Sequence, residues 1–248
     1  MKTRFILAVF VLLSLFACAG PSGRVPMDVE YFSLFKSVQM EMPISKAIYR
    51  PANQTLFAMT AKTQEIQIYQ NEIRKNVVGG LGTGSGNFLK LSDIGVAQDG
   101  NLMALDSAAK QLKLFTNDGK AMGNIDLQKS VQPTCFTVLE NHSIFVYDQA
   151  TAEIIVYSAL DGVEQFRFGK FQLQQVTSLH CNRDYVVAYD ASADTSHIFS
   201  VLGQLVKSET GQTVFDGYNN GINLSAGALT SQMSPAILPM RETAGIMS

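Results

Sequence analysis

The chain has 248 residues, of which 46% are hydrophobic, and this composition excludes a globally disordered protein. Charged residues make up only 16%, and the formal net charge of −2 offers no electrostatic footprint for a nucleic-acid partner. The chain contains 0 Trp, 3 His and 3 Cys, which leaves little material for metal or nucleophile chemistry.

Residues 1–17 have the pattern of a secretory signal peptide. A basic N-terminus precedes the apolar run FILAVFVLL, which is shorter than the roughly 20 residues that a membrane-spanning helix needs. Residues 15–18, Leu-Phe-Ala-Cys, resemble a bacterial lipobox, and this resemblance implies cleavage before Cys18 and lipidation of its thiol. The alternatives are an ordinary signal cut after Ala17 or Ala19, or an uncleaved anchor.

The lipidated Cys and a flexible tether occupy residues 18–28, which are rich in small and turn-forming residues. Bacterial lipoproteins carry several acyl chains, so the anchor would hold the protein permanently at a membrane of the bacterial cell envelope. The residue after the Cys is Ala19 and not the Asp that retains lipoproteins at the inner membrane in proteobacteria. We therefore expect the outer membrane, with the protein facing the periplasm.

A repeat with a period in the forties follows the tether. Its anchors are Thr60, Asp106, Asp148 and Asp190, each at the end of an apolar strand pattern, and their spacings are 46, 42 and 42 residues. Short alternating strands at this period predict four-stranded β-propeller blades. We expect an all-β body with very little helix and with four legible blades, near residues 44–88, 89–127, 128–169 and 170–209.

The best-preserved unit covers residues 79–123. It begins with GGLGTGSGNF and continues with a strand, DGN, a second strand that ends in Asp, and F-x-x-D-G-K. This pattern resembles NHL repeats, which form six-bladed β-propellers and occur in many bacterial lipoproteins. The resemblance implies a membrane-tethered, non-catalytic binding or scaffold protein, with a protein or carbohydrate partner on one propeller face and with no cofactor.

The sequence after residue 215 departs from the repeat. Residues 216–248 have no anchor Asp and no DGN, and Pro235 and Pro239 remove backbone donors. We expect an irregular or degenerate tail there, without a full blade and without convincing pairing around Asn219-Asn220-Gly221. It is either a degenerate fifth blade or the product of truncation or frameshift. The propeller repeats then occupy residues 29–215.

Two patterns in the repeats invite a chemical interpretation. The glycine run at 79–86 lacks the helix that a phosphate loop requires, so we interpret it as an inter-blade loop. The repeated Asp residues suggest a channel metal, as in sugar-lactone-type propeller enzymes, but no matching Glu is visible. We interpret these carboxylates as turn formers that accept backbone N–H bonds. A propeller-type hydrolase or lyase with a channel metal remains the alternative function, and so does a truncated copy without independent activity.

The remaining candidate side chains are cysteines and histidines. Cys135 and Cys181 lie at different distances before their anchors, which favours two buried thiols over a disulfide. The three histidines, His142, His180 and His197, share no ligand spacing. We therefore assign no catalytic, cofactor or metal residue, and Cys18 is the one predicted modification site.

Overall fold

The computed structural model describes residues 43–139, 143–215 and 221–224. Within these ranges the chain is all-β, with a single turn of 3-10 helix at Pro51–Asn53. Four four-stranded antiparallel sheets follow one another and are arranged as propeller blades. The strands are β1 Lys46–Arg50, β2 Thr55–Thr60, β3 Glu65–Gln70 and β4 Ile73–Gly79 in the first blade; β5 Leu91–Val96, β6 Leu102–Asp106, β7 Gln111–Phe115 and β8 Ala121–Asp126 in the second; β9 Pro133–Leu139, β10 Ser143–Asp148, β11 Glu153–Ser158 and β12 Glu164–Phe168 in the third; β13 Val176–Cys181, β14 Tyr185–Asp190, β15 Thr195–Ser200 and β16 Leu205–Thr210 in the fourth.

Each blade is a simple meander in which the first strand is innermost and the fourth is outermost. The first strands lie beside one another, β1 beside β5, β5 beside β9, and β9 beside β13. The second strands are buried almost throughout, whereas β4, β8 and β16 are largely exposed. In the second and third blades, neighbouring blades cover both faces of the sheet. The predicted blade count and blade positions are confirmed.

Apolar side chains fill the space between successive blades, and this packing holds the blades together. Side chains on one face of each sheet interdigitate with those on the facing sheet of the next blade, as in a sandwich core. The first and second blades meet around Phe57, Ile94 and Phe115, and the third and fourth meet around Phe145 and Phe199. Between the second and third blades the cluster contains Met103, Leu105, Leu112, Leu127, Phe136, Ile144, Val146, Ile155 and Tyr157.

A fifth sheet of two strands follows the fourth blade. Strand β17, Gln212–Phe215, pairs antiparallel with β18, Gly221–Leu224, so the expectation that the flanks of Asn219-Asn220-Gly221 do not pair is wrong. The physical reason is tertiary: β17 packs against β13, β14 and β15 of the fourth blade. The rest of the predicted tail, residues 225–248, lies outside the described residues.

Candidate functional site

The three repeated aspartates are buried and bind backbone N–H groups. Asp148 is 0% exposed and accepts hydrogen bonds from Val131 N and Gln132 N in the loop that links two blades, and from Ala150 N and Thr151 N in its own turn. The predicted turn-forming role is therefore confirmed. The same pattern recurs at Asp106, with Leu89, Lys90 and Ala109 as donors, and at Asp190, with Gln174, Gln175 and Ser192 as donors.

At Asp190 the hydrogen bonds also change the acidity. Burial by itself raises the pKa of this carboxyl, but hydrogen bonds from Ser192, Gln174 and Gln175 outweigh burial and hold the pKa below its usual value. At the equivalent position of the first blade, Thr60 donates from Oγ1 to the carbonyl of Glu65 at 3.0 Å. These carboxylates close turns and tie blades together.

The glycine run is an inter-blade loop, as predicted. Gly79 and Gly80 adopt φ of 108° and 89°, which only glycine reaches easily, and β5 follows the loop without a helix. The buried ammonium of Lys113 lies 3.3 Å from the Gly84 carbonyl oxygen and 2.5 Å from that of Asn87, and 3.6 Å from Asp106 Oδ2. The loop therefore presents carbonyl oxygens to a lysine from its own protein.

An ion pair between a partly exposed lysine and a buried aspartate joins the inner strands of the first two blades. Lys46 Nζ lies 2.5 Å from Asp93 Oδ1, and the other carboxylate oxygen accepts a hydrogen bond from Phe136 N on the inner strand of the third blade, at 2.9 Å. Burial raises the pKa of Asp93, and the Lys46 ammonium opposes this shift. One carboxylate thus connects three consecutive blades.

A histidine, His180, lies on the inner strand of the fourth blade. Its imidazole forms no hydrogen bond within the described ranges, and burial together with the charge of Lys46 lowers its pKa to about 4. Two residues earlier, Ser178 Oγ accepts a hydrogen bond from Gln212 Nε2 at 3.3 Å, which connects the fourth blade to β17.

Sequence reasoning did not find this inner-strand set. Lys46, Asp93, Cys135 and Ser178 all pair with the residue immediately before an anchor, so they occupy one register position in four blades. Because the four residues differ in type, the position gives no repeat signal. The sequence offers one clue, the number of residues between each of these positions and its anchor. This number identifies the shared position only when the pairing register of the first and second strands is known.

Both described cysteines are free thiols. Cys135 Sγ lies 3.9 Å from the Val176 carbonyl oxygen, and burial raises its pKa. Cys181 Sγ lies 3.2 Å from the carbonyl oxygen of Val138, and burial raises its pKa as well. Of the two thiols expected to be unpaired and buried, both are unpaired, Cys135 is buried and Cys181 is partly buried, and desolvation leaves both weakly nucleophilic.

The ends of the strands define two surfaces of opposite charge. The linking-loop end carries the three loops between blades, residues 80–90, 127–132 and 169–175, which contain three lysines and no Asp or Glu. Each of these loops also exposes an apolar side chain: Leu89 is 45% exposed, Val131 is 58% exposed and Phe171 is 93% exposed. This end therefore combines cationic and apolar groups.

The opposite end carries the turns between first and second strands and between third and fourth strands. Its described turns hold more acidic than basic residues: Glu72, Asp99, Asp118, Asp161 and Asp184, against Lys120 and Arg183. Leu160 and Leu202 stand exposed on two of these turns, at 90% and 75%. A groove of about 420 Å³ lies beside Leu160, between the turn at 160–164 and residues 124–126 of β8, and it extends to Gln128 and Lys129 of a linking loop.

Some predicted sites lie outside these surfaces. Cys18, the signal peptide and His142 lie outside the described residues, whereas His197 Nδ1 lies 2.9 Å from Ser208 Oγ on the neighbouring strand. Within residues 43–139, 143–215 and 221–224, no three metal-ligating side chains of His, Cys, Asp or Glu are grouped. In the same ranges no helix is long and apolar enough to cross a membrane.

Comparison with known proteins supports the fold. No protein-family model and no curated protein matches the chain. The solved structure of U3-55K matches with a TM-score of 0.57 at 12% identity, over 71% of this chain and 55% of that one. Kuenenia stuttgartiensis hydrazine synthase matches with a TM-score of 0.54 at 10% identity, over 75% of this chain and 55% of that one. The chain thus spans about half the length of these two solved chains, and at such identities the likeness shows the fold alone: the protein is a β-propeller.

Proposed function

We propose that the chain is a membrane-tethered, non-catalytic binding or scaffold lipoprotein of the bacterial envelope, related to NHL-repeat propellers and anchored through Cys18. The observation that supports this proposal best is that the repeated carboxylates bind backbone N–H groups. Asp106, Asp148 and Asp190 each bind the backbone of a linking loop and a turn, so the repeat maintains the scaffold and the loops remain for recognition.

The acidic end is the proposed site for a protein or carbohydrate partner. Exposed Leu160 and Leu202 stand among the acidic turns, and the groove beside Leu160 offers a concave surface. Large exposed apolar side chains with a polar rim are typical of interaction sites. A partner with an apolar contact surface and a cationic rim fits this end best.

The anchor is tested with Cys18→Ser. We expect the wild-type protein to remain in the membrane fraction after salt washing, and the Cys18→Ser protein to be released or to accumulate as the unprocessed precursor. The matched control is Cys135→Ser, which leaves membrane attachment unchanged because this thiol is buried in the propeller. A Cys18→Ser protein that still requires detergent as a mature species would overturn the lipoprotein assignment.

The binding end is tested by photo-crosslinking in intact cells. A photoreactive amino acid at Leu160 or Leu202 should give a discrete crosslinked product, whereas one at the exposed outer-strand residue Met122 should not. Identical patterns at all three positions, or none at Leu160 and Leu202, would contradict a binding role for this end.

An enzyme with a channel metal is the second candidate, favoured by the shifted pKa values of Asp93 and His180 on the inner strands. Against it, Asp93 is already paired with Lys46 and hydrogen-bonded to Phe136 N. Metal analysis of the purified protein separates the two functions. Stoichiometric calcium or zinc that is lost in Asp93→Asn would favour the enzyme, and a metal-free protein would favour the binding module.

A further inference from the structure

We propose that the linking-loop end of the propeller lies against anionic lipid headgroups and is the membrane-facing surface of the protein. This inference rests on the proposed membrane tether for its biological setting. Its physical basis is independent of the tether, because it comes from the loops themselves.

The apolar part of this surface is held in place by the fold. Leu89 N donates to Asp106 Oδ2 and Val131 N donates to Asp148 Oδ2, so equivalent buried carboxylates fix two loops at the same level of successive blades. The side chains of Leu89 and Val131 remain exposed although their backbone is fixed. Phe171 on the third loop is almost fully exposed. A preordered set of apolar side chains loses little conformational entropy when it enters a lipid interface.

A lysine accompanies the apolar side chain on each loop. Lys90 follows Leu89, Lys129 lies two residues before Val131, and Lys170 precedes Phe171; all three lysines are exposed. Lys170 Nζ is 3.9 Å from Glu153 Oε1, a distance at which its charge is only partly compensated in water. Exposed lysines beside apolar side chains are the composition that binds at the interface of an anionic membrane.

The charge distribution distinguishes the two ends of the molecule. The protein as a whole carries a formal charge of −2. In the three linking loops, however, every charged side chain is a lysine, whereas the described turns at the opposite end are net acidic. An anionic leaflet attracts the first end and repels the second, so electrostatics alone favours one orientation.

The path of the chain favours the same orientation. Ser45 N donates to the Met59 carbonyl at 2.8 Å, and Ala61 N donates to Ser45 Oγ at 3.2 Å, which places the start of the first blade beside the turn between β2 and β3. This turn lies at the linking-loop end. The described chain therefore enters the propeller at the same end that exposes the lysines and apolar side chains.

The sequence provides a clean spectroscopic test, because the chain contains no Trp. Phe171→Trp introduces a single indole at the proposed contact, Val131→Trp a second reporter on another loop, and Leu160→Trp a matched control at the opposite end. All three positions are exposed, so the substitutions leave the core intact. Each full-length variant is reconstituted into vesicles of phosphatidylethanolamine with phosphatidylglycerol, and into vesicles of phosphatidylcholine alone.

In the anionic vesicles we expect the Phe171→Trp and Val131→Trp emission to shift to the blue and to be quenched by lipids brominated on the acyl chain. The Leu160→Trp emission should do neither. Replacing Lys90, Lys129 and Lys170 by Gln in the Phe171→Trp background should shift the ratio of docked to undocked protein on the order of 100-fold toward undocked. High salt should act in the same direction.

The outcomes separate this inference from the proposed anchor. Equal emission from the linking-loop and Leu160→Trp variants, or equal quenching in anionic and neutral vesicles, would overturn the membrane-facing surface even where Cys18 is lipidated. Mass spectrometry of the N-terminal peptide reports lipidation independently of the indole signal. If the blue shift of Phe171→Trp requires an envelope protein and not lipid, the surface binds a protein and the membrane inference is wrong.

Discussion

The aspartate that links two blades provides the most direct test of the structural reasoning. Asp148 is fully buried and accepts four backbone N–H bonds, two from the linking loop and two from its own turn. In Asp148→Ala the turn donors, beside exposed Gln149 and Ala150, regain water. The loop donors lose hydrogen bonds to a charged group, which contribute about 1.5–3 kcal/mol each. We therefore expect the free energy of unfolding to fall by about 3–6 kcal/mol.

The assay is urea unfolding of the purified protein followed by far-ultraviolet circular dichroism. Asp148→Asn, which keeps one carbonyl oxygen as acceptor, should lose about 1–2 kcal/mol. Asp126→Ala is the matched control, since this exposed carboxylate binds only the side chains of Gln111 and Asn124, and should change stability by less than about 0.5 kcal/mol. Similar losses from Asp148→Ala and Asp126→Ala, or no loss from Asp148→Ala, would refute the role given to the repeated aspartates.

Two further predictions concern backbone conformation and pH. Gly79→Ala should lower the free energy of unfolding by at least about 2 kcal/mol, because its φ is 108° and the added Cβ would meet the Gln64 carbonyl oxygen at 2.4 Å. Gly86→Ala, with open space around the Cβ, should be neutral or slightly stabilising, and equal losses would contradict the loop geometry. Folding lowers the pKa of His180 to about 4, so between pH 6.5 and 4 the unfolded chain binds this proton and the folded protein does not. The free energy of unfolding should therefore decrease by up to about 3 kcal/mol as the pH is lowered from 6.5 to 4. His180→Gln should remove this pH dependence of the free energy of unfolding, while the opposing contribution of Asp93 remains. If the free energy of unfolding of His180→Gln varied with pH in parallel with the wild type, the burial argument would be contradicted.

The repeat made the blades predictable, and it did so for a physical reason. Asp106, Asp148 and Asp190 perform one task in three blades, so the same residue recurs at a fixed spacing and marks the end of each second strand. Their hydrogen bonds to backbone N–H groups followed from the short reach of an Asp side chain at a turn. Contacts between blades had no such marker. The pairing of Lys46 with Asp93 joins residues 47 positions apart, and only the register of two separate sheets brings them together.

The fifth hairpin was missed for a related reason. Strands β17 and β18 have four residues each, too few for a reliable alternation pattern, and β17 is held by packing against the fourth blade. Such a segment gains its stability from a neighbour and not from its own sequence, so propensity and turn signals underestimate it. Strands β17 and β18 show that antiparallel strand pairing continues beyond the last recognisable repeat.

The division of labour inside the repeat explains why function is sought at its ends. The buried aspartates hold the backbone of loops that carry some exposed apolar side chains, so Leu89 and Val131 are exposed on rigid supports. Leu89 and Val131 bind these carboxylates through their backbone N–H groups, so a substitution of either side chain leaves the hydrogen bonds in place. Rigid backbone with unconstrained side chains is the arrangement in which a repeat scaffold acquires binding surfaces. The lysines lie beside these apolar groups at one end, and the acidic turns lie at the other. The two ends of the repeated scaffold therefore differ in charge, although the blades themselves are similar.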